Sequence, residues 1–145
     1  MPYTFEPDKP HAKAFGSNLR VSAKDSAKLS AVVRGKKLTV VRHLLEDLVA
    51  GKRSLEGKYY THAAEAMLRL LESCEANAKS GGLDAGKLFV HASATRGTNM
   101  RRGRRKSSFG SHMKSTNVEM ILIQRGLRES SRTGEPKSHH VQRGK

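Results

Sequence analysis

The sequence predicts an α+β fold, with helices in the first part of the chain and strands in the second. Three stretches between residues 22 and 82 carry apolar residues at helical spacing, and two later stretches alternate apolar and polar residues. The chain has 145 residues, 36% of them hydrophobic, which suits one small domain with a modest core.

The first helix is predicted to follow Ser22 and to end at Gly35. Ser22 can accept a hydrogen bond at the helix start, and Asp25 stands three residues later, at the spacing of a capping box. Gly35 can adopt the left-handed backbone that ends many helices. Apolar residues recur between these signals at Ala27, Leu29, Ala31, Val32 and Val33.

Two further helices are predicted from the same kind of pattern. The second begins near Leu38 or Thr39 and ends at Gly51, and the third begins near Thr61 and ends at Gly81 and Gly82. The Met and Cys of the third helix are interpreted as core side chains rather than as a chemical site. The apolar stripes are Val41, Leu44, Leu45 and Leu48 in the second helix, and Ala64, Met67, Leu68, Leu71, Cys74 and Ala78 in the third.

Two strands are predicted at 88–95 and 117–124, and about twenty residues rich in Arg, Lys, Ser and Gly join them. A connection of this length is unusual in a small domain and is either functional or disordered. If its arms stay paired, the hairpin reaches ~30 Å beyond the sheet. A third, short strand is predicted at 18–21. The strand faces are Leu88, Val90, Ala92 and Ala94 in one, and Val118, Met120 and Leu122 in the other.

The charge of the chain favours a polyanionic partner, of which nucleic acid is the commonest. Lys and Arg number 28 against 13 Asp and Glu, a net charge of +15. The middle segment, 38–86, is close to neutral, whereas residues 87–118 contain eight basic residues and no acidic one. A long segment without a carboxylate repels itself unless an anion neutralises it.

Several other classes of protein are disfavoured. The lone Cys74 cannot form a disulfide within the chain, and no apolar run is long enough to span a membrane. The first twenty residues lack an apolar signal region, so a reduced, intracellular location is expected. The histidines lack zinc-ligand spacing, and no nucleophile or phosphate-loop motif occurs, so we expect no metal, no cofactor and no catalytic residue.

The basic connection is the strongest functional candidate. Its centre is Met100–Lys106, with four arginines, and Ser107–Gly110 follows. An Arg side chain can hold a phosphate with two parallel hydrogen bonds and can stack on bases. Glycines at 97, 103 and 110 allow the backbone to approach a sugar-phosphate chain, and Met100, Phe109 and Met113 can insert among bases.

Five segments resemble a known family. They are Gly16–Ser22, Val33–Leu38, Asn77–Ala78 together with Gly82–Asp84, Met100–Arg102 together with Gly110, and Val118–Leu122. In sequence and order they resemble the universal large-subunit ribosomal protein family numbered twenty-two, in its archaeal and eukaryotic branch, over roughly residues 15–124. The opening residues Tyr3, Pro7, Pro10 and Lys13 are more similar to eukaryotic members than to archaeal ones.

Two departures from that family limit what the resemblance implies. The branch usually carries a long basic insert between the second and third helices, whereas residues 52–60 form a short connection here. The family's Pro-Arg-Ala in the loop is replaced by Ser107–Ser111. Contacts that relatives make through those residues are therefore not carried over to this chain.

The resemblance implies three helices packed on a small three-stranded antiparallel sheet, with a long protruding β-hairpin at 96–116. It implies a structural, non-catalytic protein of the cytosolic large ribosomal subunit that binds ribosomal RNA and lines the peptide exit tunnel with this hairpin. The implied partners are that RNA, neighbouring ribosomal proteins and the nascent peptide, with no membrane. We expect a basic extension at 1–16, a domain at 17–125 and a basic tail at 126–145.

The expected site residues fall into two sets. The tunnel-lining set on the hairpin is Met100, Gly103, Ser108, Phe109 and Gly110. The RNA-binding set is Lys13, Arg20, Arg34, Lys36, Lys37, Lys58, Arg96, Arg101, Arg102, Arg104, Arg105, Lys106 and Lys114.

Two other functions remain as alternatives. The charge alone also permits a free nucleic-acid-binding regulator or a chromatin protein. Such a duplex reader needs a basic recognition helix, and the predicted helices are the neutral part of this chain. A small enzyme is disfavoured by the missing catalytic motifs. Co-sedimentation with large subunits, released only at high salt, distinguishes the ribosomal protein from both.

Overall fold

Three helices pack on one face of a three-stranded antiparallel sheet in a computed structural model that describes residues 3–104 and 107–125. This arrangement confirms the predicted α+β fold. The predicted tail at 126–145, as well as Arg105 and Lys106, lies outside the described residues. The elements are β1 (His11–Leu19), α1 (Ala23–Val33), α2 (Leu38–Val49), α3 (Thr61–Ser80), a short 3-10 helix (Ala85–Lys87), β2 (Leu88–Arg96) and β3 (Thr116–Gln124).

The three helices begin and end within about two residues of the predicted positions. Ser22 Oγ accepts a hydrogen bond from the backbone N–H of Asp25 at 3.4 Å, so it caps α1. The Asp25 carboxylate instead accepts hydrogen bonds from Lys58 Nζ at 3.0 Å. Gly35 and Gly51 adopt φ values of +79° and +70°, a left-handed backbone conformation that ends α1 and α2.

The core lies between the helices and the sheet. The predicted stripes of α2 and α3 are buried there, except that Leu68 is only half-buried at the margin. Alternate residues of the strands close the core from the other side, among them Val90, Met120 and Leu122. Burial of this continuous apolar cluster is the main source of stability for so small a domain.

The first strand is longer than predicted and begins earlier in the chain. Instead of a short strand at 18–21, β1 spans His11–Leu19, so it reaches into the segment that we expected to be an extension. Its core-facing residues Ala12, Ala14 and Gly16 are small because α3 packs closely: a side chain on Gly16 would lie 3.1 Å from Leu70. Ala and Gly have low strand propensity, so the sequence pattern did not reveal this strand.

The third strand is central, because the sheet order is β1-β3-β2. The predicted inward face of β3 is confirmed, but Glu119, Ile121 and Ile123 on its opposite face are buried too. Residues 3–9 cross that second face, where Phe5 stacks on His91 with ring centroids 4.6 Å apart. The sequence did not predict this cover, since the segment carries no strand or helix pattern.

Glu119 is a buried carboxylate held by that N-terminal segment. Its oxygens accept hydrogen bonds from the backbone N–H of Thr4 at 3.0 Å and from the Thr4 hydroxyl. Burial alone would raise the pKa of Glu119, but the Thr4 bonds, with weaker contributions from Ser93 and His91, outweigh burial and lower the pKa below its ordinary 4.5.

We expect Thr4→Val to destabilise the fold most at neutral pH. A lowered folded-state pKa means that ionised Glu119 contributes stability above pH ~4.5 and loses it as the pH falls through the folded pKa. Urea unfolding should therefore show that the gap in free energy of unfolding between wild type and variant is smaller at pH 3 than at pH 7. In a Glu119→Gln background the gap should not depend on pH in this way. An equal gap at both pH values would contradict the assignment.

Candidate nucleic-acid interface

The acidic side chains neutralise one part of the basic charge and leave another part free. Among the residues that the structure describes, ion pairs join Lys13–Glu6, Lys28–Glu56, Arg42–Glu75, Lys58–Asp25, Arg69–Glu65 and Lys87–Asp84, and the His43 ring lies 3.6 Å from the Glu46 carboxylate. Nine predicted RNA-binding residues are exposed and have no described carboxylate within 4.0 Å. These nine, called the unpaired cations below, are Arg20, Arg34, Lys36, Lys37, Arg96, Arg101, Arg102, Arg104 and Lys114.

The connection between β2 and β3 continues as a paired, irregular hairpin. The β2–β3 register ends at Arg96 and Thr116. Beyond it, the backbone N–H of Met113 donates to the Met100 carbonyl at 2.8 Å, and that of Arg102 donates to the Ser111 carbonyl at 3.0 Å. The arginines at 101, 102 and 104 are exposed on this hairpin. Backbone hydrogen bonds between its outgoing and returning strands thus hold the cationic hairpin together.

The tip of the hairpin presents the predicted tunnel-lining residues. Phe109 is 64% exposed, the highest value among the exposed large hydrophobic side chains in the described part of the chain. Gly110 adopts a φ of +75°, and Ser111 Oγ donates to the Ser108 carbonyl at 2.6 Å, so a tight turn forms there. Met100 and Ser108 are half-buried, and Gly103 is exposed. Whether these residues line a tunnel stays a prediction.

A groove of about 260 Å³ separates the hairpin base from the start of α1. Arg96 and Lys114 are 18 positions apart in the sequence, yet both line this groove, together with His112. Ser22 and Ala23, at the start of α1, line the same groove. The unsatisfied N–H groups at a helix start favour negative charge. The groove therefore combines two unpaired cations with a second, weaker source of positive potential.

The junction between α1 and α2 forms a second basic group. The Gly35 N–H donates to the Val90 carbonyl at 2.8 Å, and the Val90 N–H donates to the Lys36 carbonyl at 2.9 Å, so the junction pairs with the outer edge of β2. The Arg34 guanidinium donates to the Ala92 carbonyl at 3.1 Å and 3.3 Å. Arg34 is therefore partly structural, whereas the side chains of Lys36 and Lys37 are exposed.

These two basic groups lie at opposite ends of α1. The helix start borders the groove, and the helix end is tied to β2. A helix of 11 residues is about 16 Å long at 1.5 Å per residue. The body can therefore present positive charge at two separated points, and the hairpin extends from one of them.

Two predicted contacts are already engaged within the protein. Lys13 lies 3.0 Å from Glu6 Oε1 and 5.0 Å from the ring centre of Tyr3. Lys58 lies 3.0 Å from Asp25 Oδ1 and stands over the ring of Tyr60. Binding a phosphate would compete with these carboxylates, so both residues are weaker candidates than the unpaired cations. The sequence alone could not show this, because each partner is distant or on another element.

The sequence analysis did not single out Arg125 or Lys9, two basic residues that lie in the same cleft. Arg125 follows β3 directly and stands 4.8 Å from the ring centre of Phe89. With Lys9 and Lys37 it lines an open cleft of about 900 Å³ beneath the N-terminal segment. Its position just after a strand was the only available signal, and a single Arg there is common on protein surfaces.

No group of three or more metal-ligand side chains occurs among the described residues. Cys74 is buried, and its thiol donates to the Ala12 carbonyl at 3.4 Å. Burial, reinforced by Glu75, raises the pKa of Cys74 to about 11, so the reactive thiolate is disfavoured at neutral pH. Among the helices in the described part of the chain, none is both long and apolar enough to cross a membrane.

The comparison with known families shows which family the chain belongs to. A family model described as ribosomal protein L22p/L17e matches residues 14–122. This chain belongs to that family. The L22p/L17e match includes all three helices and most of the three strands, and it leaves out only the first residues of β1 and the last residues of β3 among these elements.

Several relatives with the name "Large ribosomal subunit protein uL22" are similar to this L22p/L17e chain. The relative from Methanococcoides burtonii is 31% identical over 142 residues, which cover 83% of this chain and 94% of the relative. The Staphylothermus marinus relative is 37% identical over 114 residues, which cover 63% of this chain and 73% of the relative. The Pectinaria gouldii relative is 29% identical over 124 residues, which cover 69% of this chain and 68% of the relative. Archaeal and eukaryotic relatives agree with the predicted branch, and the preference for the eukaryotic side stays a prediction.

Proposed function

We propose that this chain is a structural protein of the large ribosomal subunit that binds its ribosomal RNA and lines the peptide exit tunnel with the hairpin. The observation that carries the RNA-binding part is the distribution of the unpaired cations, which are exposed on the hairpin, at its base and at the α1–α2 junction. Membership of a ribosomal protein family, and relatives that are named as large-subunit proteins, support the assignment to the large subunit.

The body would act as the anchor. Arg20, Lys36 and Lys37 project from loops next to folded elements, so contacts with phosphate require little further ordering of the chain. Two basic groups about 16 Å apart can touch separate RNA segments and fix the orientation of the domain. The groove at the hairpin base is of a size that accepts a phosphate group.

The hairpin would act as a wedge among RNA helices. Its arginines can hold phosphates bidentately, and the exposed Phe109 can stack on an unpaired base. A tip placed at the tunnel wall would lie beside the nascent peptide, while other faces of the domain meet neighbouring ribosomal proteins. In this function the chain needs no catalytic residue and no cofactor, and its location is the cytosolic large subunit.

Salt dependence of RNA binding tests the electrostatic part of the proposal. We expect the purified chain to bind a structured large-subunit RNA fragment with log affinity falling steeply against log salt, by about 0.7–0.9 per phosphate contact. The triple variant Arg20→Ala, Lys36→Ala and Lys37→Ala should reduce that slope by about 2–3. Filter binding at four salt concentrations measures both values.

A matched control removes the same charge from other places. The triple variant Lys28→Ala, Arg69→Ala and Lys87→Ala also lowers the net charge by three, but each of its cations is paired with a carboxylate. We expect this control to keep the slope of the wild type within about one contact. A flat slope for the wild type, or equal losses in the two triple variants, would exclude binding through the unpaired cations.

A further inference from the structure

The first strand contains an irregularity next to the hairpin base. β1 pairs with β3 in regular register as far as Gly16 and Val118, and the register then shifts before Leu19 pairs with Thr116. Three steps along β1 therefore match two steps along β3, which is a β-bulge. Asn18 lies in this bulge with a φ of +50°, a conformation that Asn tolerates better than most residues.

The bulge directs the Asn18 side chain at both arms of the hairpin. Its Oδ1 accepts a hydrogen bond from the backbone N–H of Thr98 at 2.9 Å, on the outgoing arm. The same oxygen accepts one from the Ser115 hydroxyl at 3.0 Å, on the returning arm. The backbone N–H of Asn18 donates to Asn117 Oδ1 at 2.9 Å. One residue of β1 thus touches the hairpin where the β2–β3 ladder ends.

The packing around this contact leaves no room for another side chain. At Gly97, which precedes Thr98, a Cβ atom would lie 2.4 Å from Ser115 Oγ and 2.7 Å from Asn18 Oδ1. Both distances are far shorter than van der Waals contact. The glycine therefore permits the arms to approach the Asn18 side chain closely enough for both hydrogen bonds.

We propose that Asn18 is a positioning residue that fixes the direction in which the hairpin leaves the sheet. Beyond Arg96 and Thr116 the arms are joined by only a few described backbone hydrogen bonds, so the hairpin could swing as a unit about its base. A bond from β1 to each arm opposes that swing. A hairpin already pointing in its bound direction loses less freedom on binding, and this last consequence rests on the proposed RNA-binding function.

Distance measurements on the free, full-length chain test the geometry. Spin labels at Ser73→Cys on α3 and Ser107→Cys on the hairpin report its direction, because both positions are exposed. Cys74 is buried with a raised pKa and should label slowly, and a chain labelled at Cys74 alone measures any background. Pulsed electron paramagnetic resonance should give a narrow distance distribution for the chain with Asn18 intact.

Three variants separate the side-chain bonds from other effects. Asn18→Gly keeps a residue that accepts positive φ and should at least double the width of the distribution. Asn18→Asp keeps an oxygen acceptor of the same size for both donors and should stay close to the width with Asn18 intact. Ser115→Ala removes only the hydroxyl donor and should give an intermediate width. Circular dichroism should show the same helix content in all of them.

The outcomes decide the proposal in either direction. An unchanged distribution in Asn18→Gly, or equal broadening in Asn18→Gly and Asn18→Asp, would overturn it. If Asn18→Gly fails to fold, Ser115→Ala decides: broadening supports the proposal, and an unchanged width overturns it. RNA affinity of Asn18→Gly should fall about threefold to tenfold with an unchanged salt slope. If the wild type binds no RNA, the proposed function fails while the distance result still stands or falls separately.

Discussion

Large subunits from cells that express the Arg20→Ala, Lys36→Ala, Lys37→Ala variant are expected to contain little of this protein. A hydrogen bond to a charged group contributes about 1.5–3 kcal/mol when well formed, so each lost phosphate contact lowers affinity at least about tenfold. Three such losses predict about a thousandfold. Arg34 is left unchanged in this variant because its guanidinium also binds the Ala92 carbonyl within the fold.

The matching hairpin variant is expected to behave differently. Arg101→Ala, Arg102→Ala and Arg104→Ala also removes three unpaired cations, but this variant should still enter large subunits. These arginines lie on a hairpin that buries few side chains and joins the body only at its base, so losing their contacts affects the hairpin more than the attachment of the body. The expected defect is therefore local: the tip loses order, and the tunnel wall changes shape there.

Quantitative mass spectrometry of purified subunits, with a cryo-EM map of each variant particle, measures both effects. The charge-matched variant of Lys28, Arg69 and Lys87 serves as the control and should be incorporated like the wild type. The opposite result would contradict these roles. If the hairpin variant were absent from large subunits while the body variant was incorporated normally, the hairpin would be the anchor.

Leu45→Ala is expected to lower the free energy of unfolding by roughly 3 kcal/mol, the usual effect of truncating a fully buried Leu. Leu45 lies on α2 with no exposed surface, inside the cluster that joins the helices to the sheet. A domain of this size has only about 5–15 kcal/mol of stability in total, so the loss is a large fraction of it.

Replacement of residues 99–113 by Asn-Gly should change the free energy of unfolding by less than about 1 kcal/mol. A two-residue Asn-Gly turn fits between antiparallel strands, and this design keeps Thr98 and Ser115 in place for Asn18. Urea unfolding followed by circular dichroism measures both variants. Loss of helical signal in the shortened chain at zero denaturant would show that the hairpin is part of the folding unit.

The helices could be predicted from the sequence because their signals are local. Ser22, Gly35 and Gly51 act on the backbone within a few positions of themselves, and the apolar stripe of each helix lies within one segment. The two strands around the basic connection were predicted for the same reason. Their alternation is short-range and is bounded by polar residues.

The features that sequence reasoning missed depend on partners far away in the chain. The core-facing residues of β1 are small because α3 packs against them. Glu119 is buried because the N-terminal segment crosses the sheet there, and its hydrogen-bond partner Thr4 is 115 positions away in the sequence. Charge identified the basic segments, but only the folded arrangement separates the paired Lys13 and Lys58 from the unpaired cations. The bulge at Asn18 has no signature in the composition of the strand.

The pairing of the α1–α2 junction with β2 also affects how the free protein behaves in solution. An open strand edge is a template on which another chain can add a strand, and such additions lead to aggregates. The hydrogen bonds of Gly35 and Lys36 with Val90 occupy part of that edge. The lysines that flank them keep neighbouring molecules apart by repulsion. In the proposed function, the same short junction both supplies cations for RNA binding and limits strand addition at this edge of the sheet.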